Sequence, residues 1–452
     1  MEAAMDFGGE GGISVNSGVN GAMLANCHIA GGENAAGKFY VQSLRKISLL
    51  REFKILAAFK SRGEDSVYFI TDDANDFHIW QKSASGEPER RCTVEKRRKE
   101  FRFSYDYAKI NEFKNFDGIL LTAFGSVVAF SETDFKLAHI ETADIGMVSG
   151  VAAFGNRIIA TFEGSEQYHW GDILQAKFKA ENFASSEYGN DMTQAVRRTG
   201  SRLAVFTAKT IEIKDLSQNP DLPFAGYLYQ NNYDVGAEID TARDIDGALY
   251  FLGQELNGLR FIYGLADGAL KKLTNENQAK LLEGNFRQSG TMQEDGNTFY
   301  CIYGADGEGW AVNIINRSLF RLGAGLKFLD YLSAGDKHLR FCDSGICEVS
   351  AGNNEYMPCR LRLPKFDFGA VANIRKLEFA GEFLSSARRP ASLTAARGWS
   401  KQAGATGRGY AFFRCGLQKL NDLEFSTDAN FRLFKIIANY ELLNNASRYG
   451  IG

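Results

Sequence analysis

From about residue 43 onward the chain is a succession of short apolar runs, each cut off by a tight-turn dipeptide. Val67-Tyr68-Phe69-Ile70 is the first clear run. Ile119 to Ala123 turns at Gly125-Ser126 into Val127 to Phe130, and Val151 to Phe154 turns at Gly155-Asn156 into Arg157 to Phe162. Leu203 to Phe206 pairs with Ile211 to Ile213. Ala248 to Leu252, Arg260 to Tyr263, Thr298 to Tyr303 and Trp310 to Ile314 follow in the same manner. Runs of this length bounded by turn signals predict strands. Asp117-Gly118, Asp246-Gly247, Asn257-Gly258, Asp267-Gly268, Asp295-Gly296 and Asp306-Gly307 are pairs that tolerate positive φ in two-residue hairpins. Asn275 to Leu282 is the best helical candidate, and it is only about two turns long.

Many hairpins without a βαβ rhythm leave sandwiches, barrels and propellers. Hairpin centres near residues 74, 125, 155, 208, 257 and 306 give several gaps near 50. A four-stranded propeller blade takes about 40–50 residues. The expected architecture is therefore mainly β: a flexible N-terminal arm over 1–42, a roughly six-bladed β-propeller over 43–355, and a C-terminal β-sandwich-like domain over 356–452. The arm is inferred from its glycines (Gly8-Gly9-Glu10-Gly11-Gly12, Gly31-Gly32) and lack of period. The last block alternates apolar and polar residues, as in Leu377-Glu378-Phe379, and has the size of a sandwich. Its Arg388-Arg389-Pro390 stretch is expected to be a solvent-exposed loop.

Composition narrows the function classes. The 452 residues carry 52 Lys+Arg and 55 Asp+Glu, a net charge of -3, which argues against a wholesale basic nucleic-acid binder. With 35 Phe and 18 Tyr the chain can bury a large core, so it is not disordered. No apolar run approaches the roughly 20 residues of a membrane span, and Met1 to Gly12 has no secretory-signal pattern. The seven cysteines (27, 92, 301, 342, 347, 359 and 415) lack paired zinc spacing and are expected to be buried reduced thiols.

One stretch carries more than composition. It runs Trp170-Gly171-Asp172-Ile173-Leu174, Phe183-Ala184-Ser185-Ser186-Glu187 and Asn190-Asp191. Leu203-Ala204-Val205-Phe206, Thr210-Ile211-Glu212-Ile213, Leu222-Pro223-Phe224 and Ala248 to Gly253 complete it. This order resembles the packaged-DNA stabilisation proteins of short-tailed bacteriophages, the tail hub or nozzle subunits. The similarity covers about 110–290, with fainter echoes at Phe413 to Leu417 and Phe431 to Leu433. It implies a propeller with an additional β-domain and a structural role in the virion tail. Six copies would form a ring below the portal and head-to-tail adaptor, retain packaged double-stranded DNA, dock tail fibres or spikes, and form part of the ejection channel.

The candidate chemistry is sparse. Arg90 and Arg91, then Lys96, Arg97, Arg98 and Lys99, form the sharpest basic segment. It is a candidate for sequence-independent contact with DNA phosphates, or for a subunit contact, with interspersed glutamates reducing its field. Asp72-Asp73-Ala74-Asn75-Asp76 reads as an ordinary turn, with a calcium loop as the sharper alternative. Glu163, Glu166, Asp172 and Glu187 would serve a glycan-binding or glycan-hydrolysing propeller, the alternative function, if two of them faced one pocket. Tyr227-Leu228-Tyr229-Gln230 and Tyr440 are candidate rim anchors for a partner. The isolated histidines and the absence of nucleophile or phosphate-loop motifs predict no enzyme and no cofactor.

Overall fold

A computed structural model describes residues 2–6, 23–30, 40–45, 48–63, 65–96, 102–123, 125–142, 145–189, 191–219, 221–226, 232–305, 307–323, 327–334, 337–348, 357–363, 372–383, 391–395, 399–403, 410–418, 423–427 and 431–442. Within them, seven antiparallel units of four or five strands follow one another along the chain, six of them separate sheets and one part of a nine-stranded sheet. Their first strands begin at Ile55, Ser104, Val148, Thr193, Val235, Phe286 and Phe328, 42 to 51 residues apart.

Packing closes these sheets into a ring, here numbered as blades 1 to 7. Phe59, Tyr68 and Ile79 of blade 1 share a core with Leu121 and Phe130 of blade 2. Equivalent cores join blade 2 to 3, 3 to 4, 4 to 5 and 5 to 6. The Tyr303 hydroxyl oxygen of blade 6 accepts a hydrogen bond from the Phe328 N–H of blade 7 at 2.8 Å. Phe69 of blade 1 packs with Phe341 of blade 7, so the last blade meets the first. The expected propeller is therefore present, with seven blades where spacing suggested roughly six. The middle strands are covered on both faces by neighbouring blades. That explains why Ser126–Phe130 is buried at every position and reads as an apolar run, not an alternation.

The ring is closed by the N-terminal side of the chain. Ser48–Glu52 pairs with Gly345–Glu348 as the outer strand of blade 7, so its sheet contains strands from both sides of the ring in sequence. Residues 23–30 and 40–43 also correct the expectation of a flexible arm. Cys27–Ala30, buried throughout, pairs with Tyr40–Ser43, which pairs in turn with Phe431–Leu442. Glu2–Asp6 lies along the same long C-terminal strand. Apolar side chains and unpaired strand edges make these segments bind where the C-terminal strands offer partners. The arm's Gly8–Gly12 and Gly31-Gly32 stretches lie outside the described residues.

The C-terminal block is a two-layer β structure. One layer contains Tyr40–Ser43, Phe431–Leu442, Ala372–Phe383 and Tyr410–Gln418. The other contains Cys359–Arg362, Glu424–Thr427, Ser392–Ala395 and Trp399–Gln402. Phe379 of the first stacks on Phe425 of the second, with ring centroids 4.4 Å apart. The second layer is continuous with blade 6, because Met23–Ala25 pairs with Cys359–Arg362 on one side and meets Leu319–Leu322 through Ala25 and Arg321 on the other. Arg388-Arg389-Pro390 lies outside the described residues.

The turn chemistry works as expected at Asp246-Gly247, Asp267-Gly268 and Asp295-Gly296, where both residues have positive φ. Asp117-Gly118 is a correction: it opens the strand Asp117–Ala123, and the chain reverses just before it. Gly118 is needed there because a Cβ would lie 2.3 Å from the Phe113 ring. The helical candidate shortens to Glu276–Ala279, held by a capping box between Asn275 and Gln278. All seven cysteines are free thiols, six of them buried and Cys92 half-buried. Among the described residues no helix is long and apolar enough to cross a membrane.

Candidate functional site: the propeller channel

The first strand of each blade faces the central axis. In five blades this strand carries one extra residue relative to its partner, at Leu56, Ser149, Gln194, Arg287 and Leu329. A bulge bends the strand and re-aims a side chain, and all five of these residues line cavities at one end of the channel. Close blade packing brings the inner strands together. At Gly290 of blade 6 a Cβ would lie 1.7 Å from the Phe328 carbonyl oxygen of blade 7.

The principal cavity, about 490 Å³, is bordered by residues from blades 1, 3, 4, 5, 6 and 7 and by Phe103, which leads into blade 2. Its charged lining comprises Lys54, Arg102, Arg197, Arg243, Arg287 and Lys327 against Asp240 and Asp343. Three of the cations have carboxylate partners: Arg102 with Asp240 at 3.2 Å, Lys54 with Asp72 at 3.2 Å, and Arg243 with Asp330 in a close buried pair. Arg197, Arg287 and Lys327 have no carboxylate within 4 Å among the described residues. Arg197 donates to the Val196 carbonyl at 2.9 Å, and burial lowers its pKa to about 10 against the attraction of Asp106 and Asp240. It remains protonated at neutral pH.

Further along the inner strands a second cavity, about 190 Å³, is lined by Tyr105, Asp106, Tyr107, Arg198 and Asp244, and shares Arg197 and Arg243 with the first. Burial raises the pKa of Asp106 and of Asp244. It also raises that of Asp330 to about 6, opposed by the adjacent Arg243. The channel thus has a basic end and a mixed, partly acidic interior.

The basic segment singled out in the sequence is placed differently. Arg90 is exposed on Glu89–Glu95, the outer strand of blade 1. Arg91 on that strand is engaged by Gln81 at 2.7 Å and Glu89 at 2.7 Å, and lies over the Phe135 ring. Lys96 is held by Asp72 at 2.7 Å and by the Asp73 carbonyl. None of the three lines the principal cavity. Arg97, Arg98 and Lys99 lie outside the described residues, as do Tyr227 to Gln230.

The Asp72–Asp76 loop is a side-chain-stabilised turn. Asp73 Oδ1 accepts from the N–H groups of Asn75 and Asp76, both at 2.9 Å, and these bonds help hold its pKa down to about 2. Among the described residues no group of three or more His, Cys, Asp or Glu is arranged to hold a metal. Glu163, Glu166, Asp172 and Glu187 flank the ends of strands in blade 3, and none of them lines the channel cavities. Asp172 is paired with Lys179 at 2.6 Å. His169 packs edge-on against Phe162, and burial lowers its pKa.

Sequence reading missed the channel cations because they come from distant positions with no local pattern. The structure defines a β-propeller joined to a two-layer β-domain, with a basic pocket on the propeller axis. No protein-family model matches the chain, and no curated protein matches it. Solved structures similar to it include the WD40 domain of Toxoplasma gondii coronin, at 10% identity and a TM-score of 0.39, covering 68% of this chain and 90% of that one. BamB from Moraxella catarrhalis is similar at 10% identity and a TM-score of 0.37, covering 68% and 99%.

Proposed function

We propose that the protein is a structural subunit of a short bacteriophage tail, a hub or nozzle component without catalytic turnover. Six copies would form a ring below the portal and adaptor, dock fibres or spikes, retain packaged DNA and release it on adsorption. The observation that carries this reading is the ordered run of family-like motifs across blades 3 to 5. Its residues act together: Glu212, fully buried on Ile211–Leu216, accepts from the Ser186 hydroxyl and from Tyr188 N–H at 2.9 Å, and pairs with Lys214 at 2.7 Å. The motif glutamate therefore fastens the crossover from blade 3 to the centre of blade 4.

The size of the propeller cavity places a constraint on this proposal. A space of about 490 Å³ has the size of a small-molecule site and cannot admit a DNA duplex. The genome would pass between subunits, along the axis of the ring, and not through the propeller. Ring formation needs head-to-tail faces that close by rotation, and the exposed outer strands, including Glu89–Glu95 with Arg90, supply candidate contacts.

Electron microscopy of virions containing this chain, reconstructed without imposed symmetry, tests the proposal. Six propeller-shaped densities below the portal are the expected result. A protein absent from virions, and monomeric beside purified portal and adaptor, would overturn it.

A further inference from the structure

We infer that the basic end of the propeller channel is a binding site for one small polyphosphate. The ligand would sit on the propeller axis against Arg197, Arg287 and Lys327. This inference is independent of the proposed tail role, because the site lies within a single chain.

Charge balance is the first reason. Six cationic side chains and two carboxylates, Asp240 and Asp343, border the cavity, and Asp72 and Asp330 pair with two of those cations from just outside it, which leaves an excess of two cations although the chain as a whole carries a net charge of -3. Three of the six are already neutralised by carboxylates. The other three come from different parts of the ring: Arg197 from blade 4, Arg287 from blade 6 and Lys327 from the approach to blade 7. Because the three border one cavity, a single anion carrying several charged groups is the ligand class that matches them. Like charges gathered around a low-dielectric pocket repel one another, and an anion relieves that cost.

The geometry supplies the second reason. The volume falls in the range of small-molecule sites, roughly 300–1,000 Å³. Arg197 is half-buried and anchored through a backbone carbonyl; Asp106 and Asp240 attract it from beyond ion-pair distance, so its guanidinium is not held in a salt bridge among the described residues. Guanidinium groups offer planar, bidentate donor pairs suited to phosphate oxygens. Ser149 of blade 3 and Gln288 and Ser289 of blade 6 add neutral polar groups to the lining. Arg287 is the extra residue of the blade 6 bulge, which aims its side chain at the cavity while leaving the strand ladder intact on either side.

Calorimetric titration of the full chain with sodium triphosphate tests the site. The variants are Arg197→Met, Arg287→Gln and, as a control on the exposed outer strand of blade 5, Lys271→Gln. Saturable 1:1 binding is expected. It should weaken at least tenfold in Arg197→Met and in Arg287→Gln, and remain unchanged in Lys271→Gln. Arg287 is exposed, so its substitution reads binding even if Arg197→Met disturbs folding. Absence of saturable binding to the wild-type chain would overturn the inference. Equal weakening by Lys271→Gln would also overturn it, since that would mark diffuse charge attraction.

Discussion

The carboxylate of Asp106 on blade 2 lies 3.1 Å from the guanidinium of Arg198 on blade 4, across the inner strand of blade 3. The same carboxylate accepts from Ala153 N–H of blade 3 at 2.9 Å and from its own neighbour Tyr107 N–H at 2.7 Å. One buried side chain therefore ties three consecutive blades together where their inner strands converge. Asp106→Ala should leave two N–H groups without their acceptor and lower unfolding free energy by about 2–4 kcal/mol. Urea denaturation followed by tryptophan fluorescence measures the loss. A change below about 0.5 kcal/mol would show that the clip is redundant.

The contact between blades 6 and 7 leaves no room for a methyl group at Gly290, since the nearest oxygen would be 1.7 Å away. Gly290→Ala must therefore push the two inner strands apart. A cost of about 1–3 kcal/mol or more is expected from overpacking. The thermal midpoint should fall, while Gly296→Ala, at an open turn with positive φ, reports the separate cost of backbone strain.

Glu294 gives a pH prediction with a definite sign. It is buried, accepts from Arg45 N–H at 2.8 Å and stands 3.6 Å from Arg340, yet burial raises its pKa from 4.5 to about 7. The folded state then holds a proton that the unfolded state releases between those values. Stability contributed by protonated Glu294 is present below about pH 4.5 and is lost as pH rises through about 7. Buried His28, whose pKa falls to about 4, acts in the opposite direction. The difference between wild type and Glu294→Gln isolates the glutamate. Wild-type stability should decline relative to the variant across that interval, by a few kcal/mol at most. A flat difference would refute the assignment.

The continuity between blade 6 and the C-terminal block predicts one cooperative unfolding transition. Phe425 is fully buried and stacks on Phe379. Phe425→Ala should cost about 3–5 kcal/mol through lost contacts and a cavity. Differential scanning calorimetry should show the whole transition moving down. A propeller peak left in place beside a shifted smaller one would mean that the two parts unfold separately.

The β character of the chain, most of its hairpins and the repeated blade were legible in the sequence because they depend on local chemistry. Asp-Gly pairs tolerate positive φ and took it at Asp246-Gly247, Asp267-Gly268 and Asp295-Gly296, though not at Asp117-Gly118, and apolar runs about as long as a strand must pair and be covered. Spacing alone left the blade count approximate, because Ser48–Glu52 completes blade 7 from the other end of the chain. The burial of Cys27–Ala30 in the C-terminal layer was hidden for the same reason: its partner Tyr40–Ser43 is itself held by Phe431–Leu442 at the other end of the chain. The basic segment near residues 90–99 stood out through adjacency, and its described members proved to be engaged or on an outer edge. Arg197, Arg287 and Lys327 were silent because they lie far apart in the chain, one beside Arg198 on a strand and the other two as single cations. Only closure of the ring, with bulges that turn inner-strand side chains toward its axis, brings their charges into one pocket.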